Sequence, residues 1–165
     1  MKTTLTLRDR LTAGFVAGLV GGVLIQAFLL GAELVRGTPP EKLTAAFVFI
    51  AATLLGPGAS AQPAAVPLGI GLHFCVAVGW ALGYVWAARE QPQLLARPWL
   101  SGAAFGLMVY IFMQIIVLTA GLYHRPDFDV LLIQLAAHIV FYGIPVALIA
   151  SNMLRARSSG SGQAA

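Results

Sequence analysis

The chain has 165 residues, of which 59% are hydrophobic and only 10% are charged. Soluble domains carry about 25% charged residues, so this composition excludes an ordinary water-soluble domain and predicts one compact domain within a lipid bilayer. The net charge of +4 comes from scattered Lys and Arg residues without a basic cluster, and we therefore expect no nucleic-acid partner. The single cysteine, Cys75, excludes an intramolecular disulfide.

A charge-free run, Leu11–Ala32, follows a short basic N-terminus. The run is longer than the apolar region of a signal peptide, which has about 7–15 residues. We therefore predict an uncleaved first span over residues 11–34. Gly14, Gly18 and Gly22 recur every four residues and form one smooth face, to which another helix backbone can come close.

A shorter apolar segment separates this span from the next. Thr38-Pro39-Pro40-Glu41 is typical of a helix start, and Gly56-Pro57 ends the apolar part. Because about 20 residues are needed to cross a bilayer, we expect a short helix over residues 39–55 that lies in the interface or dips into the membrane.

Three further segments are long enough to cross the membrane, over residues 68–88, 99–121 and 130–154. Pro145 lacks an amide donor and frees the carbonyl of Phe141, which predicts a kink in the last span. Residues 1–154 then form a single membrane domain, and residues 155–165 are predicted to be a flexible tail.

Glycines four residues apart recur in the later spans as well, and spacing of this kind predicts close helix contacts. The full set of predicted helix-packing glycines is Gly14, Gly18, Gly22, Gly79, Gly83, Gly102 and Gly106.

The distribution of Lys and Arg predicts the orientation, because cytoplasmic loops carry an excess of these residues. Four spans with a cytoplasmic N-terminus place seven basic residues inside and three outside, the three being Arg36, Lys42 and Arg125. A fifth crossing by residues 43–55 would give four inside and six outside. The chain is therefore predicted to be an all-α, polytopic membrane protein. The predicted architecture is a four-transmembrane-helix bundle with cytoplasmic termini and a short extra interfacial or re-entrant helix between spans 1 and 2.

Each predicted span places polar side chains in its outer half, where polar groups are costly and often functional. At 1.5 Å per residue, His73 lies roughly 8–9 Å below the outer end of its span and His138 roughly 13 Å below that of the fourth. The candidates for a shared outer pocket are His73, His138, Gln114, Gln134, Gln26, Glu33 and Tyr142.

Two interpretations of these polar residues remain open. In one, they bond across helices and hold the bundle together, at about 0.6 kcal/mol per bond. In the other, His73 and His138 face each other across a pocket for a proton or a small solute. The same two histidines are also candidate ligands of a b-type haem or a metal, although zinc normally takes three or four protein ligands. We recognise no nucleophile–base pair in the sequence and predict no catalytic residue.

The order of these features resembles a known family. A Gly-rich span and a loop helix precede His73, which is followed by Gly79-x-x-x-Gly83-Tyr84; after a second Gly-rich span, His138 precedes aromatic residues and a basic end. Over residues 11–157 this order resembles the YagU-like family of small bacterial inner-membrane proteins. The resemblance implies a bacterial inner-membrane location and a four-helix plan, and it brings no activity or cofactor.

These observations predict a small integral inner-membrane protein that is a non-catalytic accessory or assembly subunit. Its expected partners are the lipid bilayer and other membrane-protein subunits or a second copy of itself. The alternatives are a proton- or small-solute-responsive membrane protein that uses His73 and His138, and a b-type haem-binding membrane protein.

Overall fold

The computed structural model of the protein describes residues 5–123 and 125–160, with the side chains of residues 5–123 and 125–157. The described residues form helices and turns, with no strand among them. Four of their helices are long and apolar enough to cross a membrane: Leu7–Val35, Ala65–Glu90, Pro98–Thr119 and Phe128–Arg157. The prediction of an all-α protein with four spans is confirmed.

We number the α-helices in chain order. They are α1 (Leu7–Val35), α2 (Ala45–Leu55), α3 (Ala65–Glu90), α4 (Gln93–Ala96), α5 (Pro98–Thr119), α6 (Phe128–Ala136) and α7 (Ile144–Gly160). Short 3-10 turns, Pro40–Lys42 and Pro57–Ala61, flank α2, and a π-helical segment, Ala137–Gly143, joins α6 to α7 within the fourth span.

The short helix and the tail differ from their predicted bounds. α2 begins at Ala45, because the Thr38 hydroxyl donates to the Glu33 carboxylate (2.6 Å) instead of capping a helix at residue 39. At the other end of the chain, α7 continues to Gly160, into the predicted flexible tail. The rest of that tail, residues 161–165, lies outside the described residues.

The glycine face of α1 packs against α3. A Cβ added at Gly14 would lie 3.0 Å from the Cα of Leu82, and one added at Gly18 would lie 2.5 Å from the Cα of Val78. Gly22 continues the contact toward the end of α1. Only glycine permits backbones this close, so the spacing seen in the sequence sets the distance between these two helices.

α5 packs just as closely against the fourth span. A Cβ added at Gly102 would lie 2.7 Å from the Cα of Ile144, and one added at Gly106 would lie 2.7 Å from the Cα of Ile139. Gly143 faces both glycines across this contact, a role that the sequence pattern did not predict.

The predicted packing of Gly79 and Gly83 within the bundle needs correction. A Cβ added at either residue would meet no neighbouring atom within 4 Å, because α3 contacts α1 through its opposite face. The two glycines belong to an exposed row of small residues with four-residue spacing, which we call the α3 stripe: Gly71, Cys75, Gly79, Gly83 and Ala87.

Ion pairs join the chain at both ends of the bundle. Arg157 in α7 pairs with Asp9 in the first turn of α1, and Arg36 after α1 pairs with Asp129 in α6. Since Asp9 is in the first turn of α1 and Arg157 is near the end of α7, their ion pair places the start of α1 and the end of α7 on the same side of the bundle.

The fourth span contains a π-helix where a kink was predicted. The amide of Ile144 donates to the carbonyl of Ile139, five residues earlier, and the wide turn ends at Gly143, two residues before Pro145. This segment carries His138 and Tyr142, and π-helical turns are frequent at functional sites.

Candidate functional site

Three of the polar side chains in the half of the bundle nearer the Arg36–Asp129 pair belong to different spans and lie at a similar depth. Gln26 is in the second half of α1, His73 is in the first half of α3, and His138 is in the π-helical segment. Their positions along three different helices bring them to a similar depth.

His73 connects α3 to α1. Its Nε2 lies 2.9 Å from the carbonyl oxygen of Gly22, which is accessible because glycine has no side chain to cover it. A carbonyl only accepts, so Nε2 carries the hydrogen and Nδ1 keeps a lone pair. The imidazole packs edge-on against the rings of Phe74 and Phe47, with centroid distances of 5.1 and 6.5 Å.

His138 has the opposite arrangement of its ring nitrogens. Its Nδ1 lies 2.7 Å from the carbonyl oxygen of Gln134, one turn earlier, so Nδ1 carries the hydrogen and Nε2 keeps the lone pair. The ring packs edge-on against Tyr110 at 5.4 Å.

Tyr142 connects the fourth span to α3. Its side chain is 2% exposed, and its hydroxyl donates to the carbonyl oxygen of Ala77 at 2.5 Å. The ring also fills the space next to Gly21, where an added Cβ would lie 2.9 Å from it. Gly21 faces the fourth span, whereas the predicted glycines of α1 face α3.

Gln26 is buried without a partner for its amide. The residue is 8% exposed, and its Nε2 makes no hydrogen bond in the described part of the chain. Because Gln26 follows Gly22 by one turn, it lies on the face of α1 that contacts α3, near the bond between Gly22 and His73.

The remaining predicted site residues are less closely involved. Gln114 and Gln134 are half-buried, and their side chains form no hydrogen bond within the described residues. Glu33 is exposed and accepts the hydrogen bond from Thr38, so it belongs to the turn after α1. The structure thus places His73 and Tyr142 at contacts between the spans, with Gln26 one turn from Gly22 and His138 one turn before Tyr142, and it leaves Glu33 outside.

A second polar cluster lies at the opposite end of the bundle. The hydroxyls of Tyr84 and Ser101 are 2.9 Å apart, and both donate to the carbonyl oxygen of Leu94, at 3.0 and 2.7 Å. This cluster holds α4 between α3 and α5. The acceptor is a backbone atom, which sequence spacing does not identify.

Two shallow apolar grooves lie on the outward side of α1. Their volumes are about 220 and 340 Å³, and neither is lined by a histidine. They are lined by Leu19, Val20, Val23 and Leu24 and by Leu11, Thr12, Phe15 and Leu82, respectively. These grooves face outward, as expected for contact with lipid tails, and they differ from the predicted polar pocket.

The geometry gives little support to the haem and metal alternatives. Two axial histidines would need free nitrogens on opposite sides of a flat porphyrin slot, but His73 uses Nε2 for Gly22 and has Phe47 and Phe74 beside its ring. Within the described residues, no three His, Cys, Asp or Glu side chains converge as metal ligands.

The fold and its buried polar groups define a multi-pass helical membrane protein. The chain matches no family model, and comparisons with curated proteins and with solved structures gave no match. Membership of the YagU-like family therefore stays a prediction.

Proposed function

We propose that the protein is a non-catalytic accessory or assembly subunit of a complex in a bacterial inner membrane, with both termini in the cytoplasm. The proposal is supported by the way in which the spans use their polar side chains. His73 and Tyr142 each donate to a backbone carbonyl on another helix, of Gly22 and Ala77 respectively. These hydrogen bonds hold the helices of the bundle together. The outward helix faces are therefore left for contact with other molecules.

The α3 stripe is the outward surface best suited to a partner helix. Membrane helices associate by close packing of small residues, and the stripe offers them along most of one span. α1 already packs on the opposite face of α3 in this manner. A transmembrane helix of another subunit, or of a second copy, can approach the stripe at a similar distance.

The outward face of α5 has a different character. Ile111 and Ile115 are 49% and 48% exposed and belong to a row of bulky aliphatic side chains. Such a face suits flexible lipid tails, and it provides an internal control for experiments on the α3 stripe.

Cys75 allows the partner to be captured without an added cysteine. We would attach a photoactivatable maleimide to Cys75 in native membranes and compare it with the double variant Cys75→Ala/Ile115→Cys, which carries the same label on α5. We expect a protein adduct from Cys75 and lipid adducts from residue 115. Equal protein adducts at both positions, or none at Cys75, would contradict the proposal.

Gly79→Leu separates association from folding. Since no neighbouring atom lies within 4 Å of an added Cβ at this site, the variant should keep its thermal stability while its protein adduct at Cys75 and its co-purification in mild detergent are lost. A folded Gly79→Leu protein that retains the same partner would reject the α3 stripe as the interface.

A second candidate function is a proton- or small-solute-responsive membrane protein. It is favoured by the free ring nitrogens of His73 and His138 at similar depth. Among the described residues, the phenols of Tyr110 and Tyr142 are titratable groups on the neighbouring turns. Charging an imidazole in this apolar site is costly, so acid should lower the melting temperature less in a His73→Gln/His138→Gln double variant. Identical pH profiles for the two proteins would reject this candidate.

A further inference from the structure

Three polar atoms in the site remain without a partner. They are Nε2 of Gln26, Nδ1 of His73 and Nε2 of His138, none of which has a hydrogen bond within the described residues. The first is an N–H donor, and the other two are lone pairs, because the second nitrogen of each imidazole already donates to a carbonyl. The three atoms belong to α1, α3 and the π-helical segment.

The packing register brings α1 and α3 together at this point. The two helices are antiparallel, with Gly18 beside Val78 and the carbonyl of Gly22 bonded to His73. A helical side chain leans over the preceding turn, so the amide of Gln26 lies over the turn that contains Gly22.

His138 reaches the same level from the fourth span. Phe141, three residues further along, stacks on Phe28 of α1 with ring centroids 4.1 Å apart. Gln26, two residues before Phe28 on α1, is therefore near the part of the π-helical segment that carries His138.

We infer that Gln26, His73 and His138 together bind one water molecule. A water has one oxygen that accepts and two hydrogens that donate, and this matches the amide donor of Gln26 and the two imidazole lone pairs. Buried waters typically make about three hydrogen bonds to polar groups that otherwise lack partners. Within a bilayer the need is stronger, because lipid offers no alternative partner.

The bound water would also connect the two histidines in a hydrogen-bonded series. It completes an unbroken series of hydrogen bonds from the carbonyl of Gly22 through His73, the water and His138 to the carbonyl of Gln134. When an added proton from the aqueous phase occupies the water-facing nitrogen of one imidazole, the water can accept that proton and donate one of its own to the other imidazole, so the charge moves between the two rings. The site is independent of the α3 stripe and of any partner bound there.

Solid-state NMR of the full-length protein in lipid bilayers, with ¹⁵N-labelled histidine, tests the inference. We expect hydrogen on Nε2 of His73 and on Nδ1 of His138, and magnetisation transfer from water to the other nitrogen of both rings. Transfer to only one ring, or to neither, would overturn the inference, and the wild-type protein alone gives this answer.

Two variants test whether the Gln26 amide is the third group that contacts the water. Gln26→Met keeps the side-chain length but removes the amide donor, so we expect water transfer to be lost at both histidines. Ser151→Ala removes a buried hydroxyl in the middle of α7 that also lacks a partner within the described residues, and it should leave both signals unchanged. Transfer that persists in Gln26→Met, or that disappears equally in Ser151→Ala, would also overturn the inference.

Discussion

The substitution Gly18→Ala adds a single methyl group at the closest approach of α1 and α3. The added Cβ would lie 2.5 Å from the Cα of Val78 and 3.0 Å from the carbonyl oxygen of Ala77. Both obstacles are backbone atoms, which cannot rotate away as a side chain can. The helices must therefore move apart or the bundle must shift.

The expected cost follows from these distances. Carbon atoms pack best at about 3.5–4.0 Å, so the two backbones must separate by about 1 Å at this point. Overpacking of this kind costs about 1–3 kcal/mol. The better helix propensity of alanine returns about 0.5–1 kcal/mol, and we expect a net destabilisation of about 1–2 kcal/mol. Gly18→Leu should be considerably worse.

Gly79→Ala is the matched control, since it makes the same chemical change in a span where no neighbouring atom lies within 4 Å of the added methyl group. Thermal unfolding or denaturant titration in one detergent would compare both variants with the wild type. We expect Gly79→Ala to be neutral or slightly stabilising. Equal stabilities for Gly18→Ala and Gly79→Ala would refute the assignment of the Gly18 face as the α1–α3 contact.

Three further predictions concern the Tyr142 hydrogen bond, the topology and the haem alternative. Tyr142→Phe should lower the free energy of unfolding by about 0.6–1.7 kcal/mol in a membrane-mimetic, and Tyr110→Phe by less; similar losses would show that the Tyr142 hydroxyl bond contributes little. Reporter fusions at the N-terminus and after Gln163 should lie on one side of the membrane and a fusion after Ala61 on the other; a fusion after Ala61 on the same side as the termini would contradict four spans. Protein expressed with ample haem should purify without a Soret band, and a band that disappears in His73→Ala would reverse our assessment of the haem alternative.

The sequence predicts the spans well because bilayer thickness acts on composition directly. About 20 apolar residues are required for each crossing, and the segments after Leu11, Leu68, Trp99 and Val130 meet this requirement whatever their tertiary contacts. The bounds of α2 were harder to predict. They depend on whether the Thr38 hydroxyl caps the next helix or bonds back to Glu33, and the structure has the second arrangement.

Glycine spacing identifies smooth faces without showing what covers them. Gly14-x-x-x-Gly18 and Gly79-x-x-x-Gly83 look equivalent in the sequence, yet the first pair contacts α3 and the second pair faces outward. Gly69 is the opposite case. No glycine lies four residues before or after it in the sequence, yet it packs against the carbonyl of Phe47 in α2. Only the relative placement of helices separates these cases.

The predicted polar residues were identified more reliably than their bonds. Hydropathy makes His73, His138 and Gln26 conspicuous in their spans, but the acceptors of both histidines are backbone carbonyls, which every residue possesses. Which carbonyl is exposed depends on local packing, as at Gly22. The π-helical segment likewise cannot be recognised from composition, although Pro145 lies two residues after its end.

The π-helical segment also affects how the fourth span responds to changes in chain length. A π-helical turn contains one more residue between its bonded groups than an α-helical turn, so the segment resembles an α-helix with a single residue inserted. Deleting Val140, whose side chain is 49% exposed, would convert the wide turn to an α-helical one with little rotation of the flanking helices. In α1, which is α-helical throughout, deleting Val23 would rotate everything beyond it by about 100° and would turn Gln26 away from α3. Single-residue deletions therefore distinguish the two spans.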